Sequence, residues 1–499
     1  MGTLDRSGFA QLVDAGYNLI PLTRTLQLDR ETPVSLYQRF AGGRAIFLLE
    51  SASLGEATGR YSFIGLDRRW RVTTRDGATV VEGADHPGGD APLGVLRALL
   101  ASHHAPASPD LPDLVAGAVG YVAYDYVRRL ERLPRDLGES PWPDVDFSFP
   151  GAVLIVDHLR HATTVVVNAV VDADPTLVYD HALARLDEVT DTLLAPAPAR
   201  DAATERLVAM APNTRDSIDV RALAASLSNF TRGDYARVVE LAKDHIVAGD
   251  VFQVVPSQQF TRATTVDPLT LYRVLRALNP SPYMYLLDSP ESQIVGASPE
   301  MLVRVANGVV STRPIAGTRP RGATDAEDRA QEEEILRDDK ELAEHVMLVD
   351  LGRNDVGRVA EPGTVVVSRL AHVERFSHLM HLVSQVDGRL RDGLDAFDAF
   401  DALFPAGTLT GAPKVRAMEI IDTFEPVARG PYGGAVGYVA LNGNADFAIT
   451  IRTLGLRGGV ATVQAGGGIV ADSRADYEYA ESLNKASAPL LALQIADPL

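Results

Sequence analysis

The chain has 499 residues, 46% of them hydrophobic and 23% charged, which suits a globular protein of two or more domains or one large layered unit. Its net charge of −19 argues against a nucleic-acid partner, because phosphate binding needs a basic stripe and none is visible. The absence of cysteine excludes disulfides, cysteine-ligated zinc and a cysteine nucleophile.

The first half of the chain has patterns typical of strands with short helices. Residues 1–7 lack the apolar segment of a signal peptide, and no apolar run reaches the roughly 20 residues of a membrane span, so we expect a cytoplasmic protein with no membrane partner. The predicted strands lie at 45–51, 60–65, 70–81, 152–156 and 163–171. Residues 195–219 open on a Pro/Ala-rich run and lack periodicity, which indicates a linker. We therefore predict an N-terminal region at 1–220 and a second region at 221–499.

The second half begins with a clearer helix signal, a capping box at Thr231 followed by apolar residues at helical spacing up to Gly249. Further strands are predicted at 251–257, 294–296, 302–305 and 309–312. The sequence Gly-Ala-Val-Gly-Tyr-Val-Ala occurs at 117–123 and again at 434–440, where glycine permits close backbone approach. Antiparallel strand runs with flanking helices favour an α+β layered fold over an alternating βαβ fold.

The acidic segment 335–355 predicts an amphipathic helix. Its apolar stripe, which should face a core, consists of Ile335, Leu342, Val346 and Val349. Glu341 and Glu344 point together about a quarter-turn away, and the simplest interpretation of one such pair is a solvated acidic face. A second pair, Glu478 and Glu481, favours a different interpretation, because like charges on partly buried faces need a cation opposite them. Two such pairs predict an oxygen-rich Mg²⁺ site with positions left open for substrate oxygens.

Three further segments contain groups suited to holding an anion. Backbone N–H groups at Gly317 and Thr318 can form an anion nest, although a basic surface turn is the simpler interpretation. The strand that ends in Gly466-Gly467-Gly468 fits backbone passing close to a ligand. Arg452 ends a strand and can bind a carboxylate as a fork, although a lone arginine is usually a surface residue. Together with the metal site, these segments predict a ligand with two carboxylates.

Two other segments are less specific. Residues 408–414 lack the spacing of a phosphate-binding loop, which excludes nucleotide hydrolysis by that motif. Taken alone, His381 is more simply interpreted as a hydrogen-bonded core histidine than as a catalyst.

The order of several long motifs resembles the chorismate-utilising enzymes. These motifs are Gly296-Ala297-Ser298-Pro299-Glu300, the run from Pro314 to Gly322, Glu344-His345 with Asp350 to Asp355, Gly407 to Lys414, and Gln464 to Gly468. The resemblance is strong from about Thr231 to Ala488 and reaches the first half through residues 48–51 and 60–62. It implies a sandwich of two mainly antiparallel sheets flanked by helices.

The resemblance also implies a reaction, in which chorismate and ammonia give anthranilate and pyruvate in tryptophan biosynthesis. Glu344 and Glu481 would hold Mg²⁺, with Glu341 and Glu478 orienting its waters. The residues implied in binding chorismate are Gly317, Thr318, Tyr432, Arg452, Gly466, Gly468 and Lys485. Glu300 would be the general acid for the departing ring hydroxyl, His381 would assist loss of pyruvate, and Thr408 would line the pocket.

Two positions distinguish members of this family. Relatives that make 4-amino-4-deoxychorismate have a nucleophilic lysine where Ala316 stands, and alanine forms no covalent adduct. Isochorismate and salicylate synthases have a water-activating lysine where Gln253 stands, and an amide is no general base at pH 7. Ala316 and Gln253 therefore both favour direct addition of ammonia to the chorismate ring. A 2-amino-2-deoxyisochorismate synthase, or another family member without pyruvate release, remains the alternative among enzymes, and an inactive tryptophan-binding subunit is the alternative from another class.

The resemblance implies a partner and an inhibitor as well. Glutamine amidotransferases paired with this family use a cysteine, and this chain has none, so a separate amidotransferase subunit should deliver ammonia within a heterotetramer. The residues implied in tryptophan feedback are Glu50, Ser51, Pro282, Tyr283 and Met284. Without the resemblance, they would be interpreted as a strand end and a proline turn.

Overall fold

A computed structural model describes residues 4–51, 59–84, 86, 88–135, 140–199, 201–322, 324–375 and 379–498. Residues 1–3 of the N-terminal segment considered above lie outside this set. The helices are α1 (Arg6–Asp14), α2 (Pro33–Gln38), α3 (Pro92–Ala101), α4 (Pro175–Leu194), α5 (Ala202–Thr214), α6 (Val220–Leu227), α7 (Arg232–Val247), α8 (Pro268–Leu278), α9 (Asp325–Ile335), α10 (Asp339–Gly357), α11 (Ala396–Leu403), α12 (Lys414–Phe424) and α13 (Ala475–Ala496).

The strands of the first half are β1 (Leu19–Gln27), β2 (Ala45–Glu50), β3 (Tyr61–Arg75), β4 (Ala78–Glu82), β5 (Gly117–Val122), β6 (Val145–Asp157) and β7 (Ala162–Val170). Those of the second half are β8 (Gln253–Val254), β9 (Ser257–Ala263), β10 (Tyr283–Asp288), β11 (Ser292–Ser298), β12 (Met301–Ala306), β13 (Val309–Thr312), β14 (Ile315–Pro320), β15 (Val366–Arg375), β16 (Leu379–Arg389), β17 (Gly411–Ala412), β18 (Ala435–Ala440), β19 (Ala445–Ile449), β20 (Thr453–Arg457) and β21 (Val460–Gly466). Short 3-10 helices lie at Tyr124–Arg129, Arg215–Ser217 and Gly407–Leu409.

The long strands β3 and β6 belong to two sheet layers at once. In one layer hydrogen bonds run from β1 through β7, β6, β3, β2, β10, β11, β20 and β21 to β9. In the other they run from β4 through β3, β6, β5, β18, β19, β12 and β13 to β16, which pairs with β14 and β15. The β3–β6 register shifts between Arg68 and Trp70, and such an irregularity lets a strand bend from one sheet into another. The pairings described between the strands of both layers are antiparallel.

The hydrophobic core lies partly between the two layers and partly under the helices. Phe47, Tyr285 and Ile294 of one layer pack against Tyr121 and Val436 of the other. A larger cluster joins the outer face of the first layer to α2, α4, α8 and α13, and a further cluster joins the second layer to α3, α10 and α11. The predicted α+β sandwich of mainly antiparallel sheets flanked by helices is therefore confirmed.

The repeated heptapeptide forms a seam between the two halves of the chain. Its copies pair with each other as β5 and β18, with Gly120 opposite Gly437. A Cβ atom at either glycine would lie 2.0 Å from a neighbouring backbone oxygen, so both strands need glycine there. A second pairing between the halves joins β2 to β10. The division at residue 220 stays a prediction.

Two local predictions differ from the structure. Residues 202–214, assigned above to a linker, form α5, which Asp201 caps at its N-terminus and whose Glu205 carboxylate pairs with the Arg273 guanidinium of α8. The acidic segment is broken by an N-cap at Asp338 into α9 and α10. On α10 the buried stripe is His345, Leu348, Val349 and Gly352, whereas Val346 is 48% exposed. The core face thus lies about one residue from the predicted stripe. Within the described ranges, no helix is long and apolar enough to cross a membrane.

Candidate active site

Glu300 is a buried carboxyl group at the turn between β11 and β12. The turn is anchored to β19, because the Ile449 N–H donates to the Glu300 carbonyl oxygen at 3.0 Å and the Ser298 hydroxyl donates to the Ile449 oxygen at 2.6 Å. The Thr408 hydroxyl donates to Glu300 Oε1 at 2.9 Å. Burial raises the pKa of Glu300 to about 7, against smaller opposing effects of Thr408, Lys485 and Arg452. Glu300 can therefore be protonated at neutral pH.

The bulge of β14 brings Gly317 and Thr318 to His381. The β14–β16 register shifts between Ala316 and Thr318, and Gly317 lies at φ +61°, which favours glycine. His381 Nδ1 lies 2.9 Å from the Gly317 carbonyl oxygen and 3.1 Å from the Thr318 hydroxyl. Because a carbonyl only accepts, Nδ1 carries the proton of the neutral ring. Burial lowers the pKa of His381, so the ring is neutral at pH 7.

The two acidic pairs, far apart in sequence, converge across α10 and α13. Burial raises the pKa of Glu344, and the charges of Glu341 and Glu481 raise it further. Burial likewise raises the pKa of Glu478, with Glu481 adding to the effect. Lys485 opposes these effects, and its ammonium group lies 2.8 Å from Glu481 Oε1. Lys485, predicted near a substrate carboxylate, is therefore paired with one of the predicted metal ligands.

These carboxylates fit a divalent cation only in part. Desolvated like charges that raise one another's pKa are stabilised by a cation. Among the described residues, however, no group of three or more acidic or histidine side chains is arranged to hold a metal ion by itself. The Gln253 amide Nε2 donates to Glu344 Oε1 at 3.4 Å, so an uncharged donor also reaches this carboxylate. Mg²⁺ accepts few carboxylates and takes its remaining ligands from water and substrate, so it is the divalent cation that two of these carboxylates would fit best.

Arg452 lies near Glu300, in the turn between β19 and β20. Its backbone lies at φ +51°, an uncommon conformation for arginine. Burial lowers the pKa of Arg452 and the charge of Glu300 raises it. Within the described part of the chain, its guanidinium has no hydrogen-bond or ion-pair partner, so it is available to a carboxylate ligand.

The remaining predicted contacts form one wall beside Arg452. Tyr432 is buried, and its hydroxyl faces the backbone N–H of Gly466. A Cβ atom at Gly466 would lie 2.2 Å from the Pro256 carbonyl oxygen, so only glycine allows β21 and β9 to approach this closely. A Cβ atom at Gly468 would lie 2.5 Å from Gln253 Nε2, which puts the glycine run beside the Gln253–Glu344 contact.

A small cleft adjoins Glu300 and Thr408. Its other walls come from α10, α11 and β12 and are mostly apolar, with Leu348, Leu351 and Leu403 among them.

The five residues predicted for tryptophan feedback lie at one end of the β2–β10 pairing. The β2–β10 pairing sets Glu50 opposite Met284, and Ser51, Pro282 and Tyr283 adjoin these two. The Glu50 carboxylate accepts from the Tyr272 hydroxyl and lies 3.2 Å from Arg276 Nε, both on α8. The Tyr283 hydroxyl donates to Asp446 at 3.0 Å. These partners of Glu50 and Tyr283 were not foreseen.

Sequence reasoning also missed two buried ion pairs behind the site. Lys414 Nζ lies 2.7 Å from Asp355 Oδ2 and joins α12 to α10. Arg429 and Glu425 pair through two hydrogen bonds of 2.6 and 2.8 Å. The i,i+4 spacing of Glu425 and Arg429 is visible in the sequence, but a surface pair shows the same spacing.

Comparisons with known proteins agree with this geometry. The model of a family described as chorismate binding enzyme matches residues 45–491. The chain is 49% identical to anthranilate synthase component 1 of Mycobacterium bovis over 515 aligned residues, which cover 100% of this chain and 97% of that protein. It is 45% identical to the protein of the same name from Pseudomonas aeruginosa, with 99% of each covered. The crystal structure of anthranilate synthase component I from Streptococcus pneumoniae superposes with a TM-score of 0.74 at 35% identity, covering 94% of this chain and 99% of that one.

Proposed function

The chain belongs to the chorismate binding enzymes, and we propose that it is the synthase subunit of an anthranilate synthase, which converts chorismate and ammonia to anthranilate and pyruvate. The observation that carries the proposal is the protonatable Glu300 close to Arg452, which has no partner among the described residues, with Lys485 acting on both Glu300 and Glu344 of the acidic pairs. Homologues that carry this name over their full length support it. We also propose a cytoplasmic location, because the proposed substrate, chorismate, is a soluble metabolite.

Chorismate has two carboxylates, and the residues around Glu300 offer two ways of holding them. Arg452, Tyr432 and the amides of Gly466 and Gly468 would hold the enolpyruvyl carboxylate. The ring carboxylate would face the acidic pairs, supported by the Gly317 amide and the Thr318 hydroxyl. Mg²⁺ held by Glu344 and Glu481, with Glu341 and Glu478 orienting its waters, would neutralise that carboxylate and withdraw charge from the ring.

Two proton transfers are assigned to residues of this chain. Glu300 would give its proton to the departing ring hydroxyl while ammonia adds to the ring carbon beside the carboxylate, and Thr408 would orient Glu300. His381, neutral with its proton on Nδ1, would then assist loss of pyruvate and aromatisation through its other nitrogen. A neutral histidine at this place favours the lyase step over the alternative that stops at 2-amino-2-deoxyisochorismate.

A direct assay tests this function and its nitrogen source. Purified chain supplied with chorismate, Mg²⁺ and ammonium is expected to produce fluorescent anthranilate and an equal amount of pyruvate. Glutamine is expected to replace ammonium only after an amidotransferase subunit is added, because the chain has no cysteine. Chorismate loss without pyruvate would favour the alternative enzyme, no chorismate loss would favour an inactive tryptophan-binding subunit, and glutamine use by the isolated chain would refute the need for a partner.

We further propose that tryptophan inhibits the enzyme at the β2–β10 pairing. Ser51 directly follows Glu50, which the structure sets opposite Met284. In Ser51→Phe the larger side chain is expected to fill the proposed tryptophan site. The tryptophan concentration for half-inhibition should rise at least about tenfold, while kcat without tryptophan stays within about twofold of wild type. Inhibition curves at fixed chorismate measure this.

The matched control is Ser289→Phe, beyond the far end of β10, which should leave inhibition unchanged. Equal tryptophan sensitivity in wild type and Ser51→Phe would contradict the location of the site.

A further inference from the structure

Arg429 lies behind the pocket and contacts three segments that carry pocket residues. It is 3% exposed, and the partners of its guanidinium are all within the protein. Its Nη1 donates to the Leu409 carbonyl oxygen at 2.8 Å, beside Thr408. Its Nη2 donates to the Val255 carbonyl oxygen at 2.8 Å, between Gln253 and the start of β9. Its guanidinium carbon lies 5.5 Å from the centre of the Tyr432 ring and 4.5 Å from that of Tyr124.

Glu425 extends these contacts to the glycine run. It receives both bonds of the Arg429 fork, and its Oε1 also accepts from the backbone N–H and the hydroxyl of Ser257 at 2.8 and 2.7 Å. The Gln464 amide donates to the same Ser257 hydroxyl at 2.8 Å. Gln464 is two residues before Gly466, and Ser257 pairs with Gly466 in the sheet. A continuous chain of hydrogen bonds therefore runs from Arg429 to the strand end that carries Gly466.

Stability alone does not account for this pair. Burying two charges costs desolvation, and well-packed apolar residues usually stabilise a core as well as a buried ion pair does. A guanidinium fork, in contrast, fixes direction, because it presents several donors in a rigid plane. Here those donors hold the segments next to Thr408 and Gln253, and Glu425 extends the contacts to Gly466. The guanidinium also lies over the Tyr432 ring.

We propose that Arg429, held by Glu425, is a positioning residue that sets Tyr432, Thr408 and Gly466 in their places around the substrate. This inference rests on the proposed function, because those three residues are assigned to substrate binding and proton transfer there. Arg429 itself does not touch the substrate; it acts through the Leu409 carbonyl, the Tyr432 ring and the Glu425–Ser257–Gln464 chain.

The first test is Arg429→Lys, which keeps the charge but loses the fork. We expect kcat/KM for chorismate to fall about 100-fold, as for other groups that orient functional residues. Loosening the Leu409 carbonyl should also weaken the hydrogen bond from Thr408 to Glu300. That bond lowers the pKa of Glu300, whereas Lys485 and Arg452, which also face this carboxyl group, are unaltered. The alkaline limb of the pH profile of kcat, where kcat falls as Glu300 loses its proton, should therefore shift to higher pH by at least about half a unit.

A second variant and a control separate positioning from folding. Ser257→Ala removes the hydroxyl that joins Glu425 to Gln464, so we expect KM to rise about fivefold with kcat and its alkaline limb unchanged, because only the Gly466 side is loosened. Tyr124→Phe keeps the ring over Arg429 and removes a buried hydroxyl without a partner among the described residues, so the alkaline limb should stay in place. If Arg429→Lys leaves the limb unmoved, or Ser257→Ala leaves KM unchanged, the proposal is overturned.

A crystal structure of Arg429→Lys tests the same claim without an assay. Displacement of the Tyr432 ring, the Thr408 hydroxyl or the Gly466 backbone relative to wild type is expected, and all three in their wild-type places would overturn the proposal. A wild-type chain that makes no anthranilate would instead refute the proposed function, and the crystallographic comparison would still decide whether Arg429 positions these groups.

Discussion

Glu300→Gln is expected to lower kcat about a thousandfold while leaving KM for chorismate within a few-fold of wild type. The amide keeps the shape and the hydrogen bond to Thr408 but has no acidic proton, and general acid catalysis contributes roughly 10²–10⁴-fold. Steady-state rates of anthranilate formation measure the loss. Glu240→Gln, on the exposed face of α7, is the matched control and should retain wild-type rates.

The pH dependence gives this prediction a second readout. Glu300 is active when protonated, so wild-type kcat should fall as pH rises through its pKa of about 7, and this limb should be absent in Glu300→Gln. A variant that keeps the limb, or loses less than about tenfold in kcat, would show that another group is the acid.

Glu300→Gln should raise the stability of the protein at alkaline pH while it lowers the activity. The folded protein raises the pKa of Glu300 from 4.5 to about 7, so it binds this proton more tightly than the unfolded chain does. The free energy of unfolding therefore falls as pH rises from about 4.5 to about 7, by an amount on the order of 3 kcal/mol for such a shift. Glu300→Gln should remove this loss and unfold less easily than wild type at pH 8. A less active but more stable variant is typical of a group retained for catalysis.

Much of the fold and the site could be predicted because the information is local. Strand patterns, the capping box at Thr231 and the long motifs around Glu300 and Gly317 depend on neighbouring residues, and the chain belongs to the predicted family. The sequence also predicted that Glu344 and Glu481 lie close together, and the charge of Glu481 does act on Glu344. The cation between them stays a prediction.

The rest depends on contacts between distant segments, which periodicity does not encode. The core face of α10 differs from the predicted stripe because the polar His345, whose Nε2 lies 2.6 Å from the Ser384 hydroxyl, is buried, whereas the apolar Val346 is exposed. Likewise, Glu50 meets Tyr272 because α8 packs on β10, the strand that pairs with β2. The spacing of Glu425 and Arg429 cannot show whether water or Leu409, Val255 and Tyr432 surround the pair.

Glu344→Gln is expected to abolish the response to Mg²⁺, lowering kcat/KM about a thousandfold at a fixed Mg²⁺ concentration, because metal neutralisation of developing charge is worth several kcal/mol. Glu341→Gln should lose only about 10–100-fold, as a residue that orients waters around the ion. Glu333→Gln, on the exposed face of α9, is the matched control and should behave as wild type. Titration of activity with Mg²⁺ gives all three values.

Unfolding of the same variants shows whether the effect belongs to the metal site. Burial and the charges of Glu341 and Glu481 raise the pKa of Glu344 above its usual value, so its ionised form destabilises the folded protein without metal, and this penalty disappears as pH falls through that raised pKa. Glu344→Gln should therefore be more stable than wild type at pH 8 without Mg²⁺. Wild type should gain about 2.7 kcal/mol at a Mg²⁺ concentration a hundred times Kd, and the variant almost nothing. If Mg²⁺ stabilises both proteins equally, the cation binds elsewhere, and the convergence of α10 and α13 needs another cause.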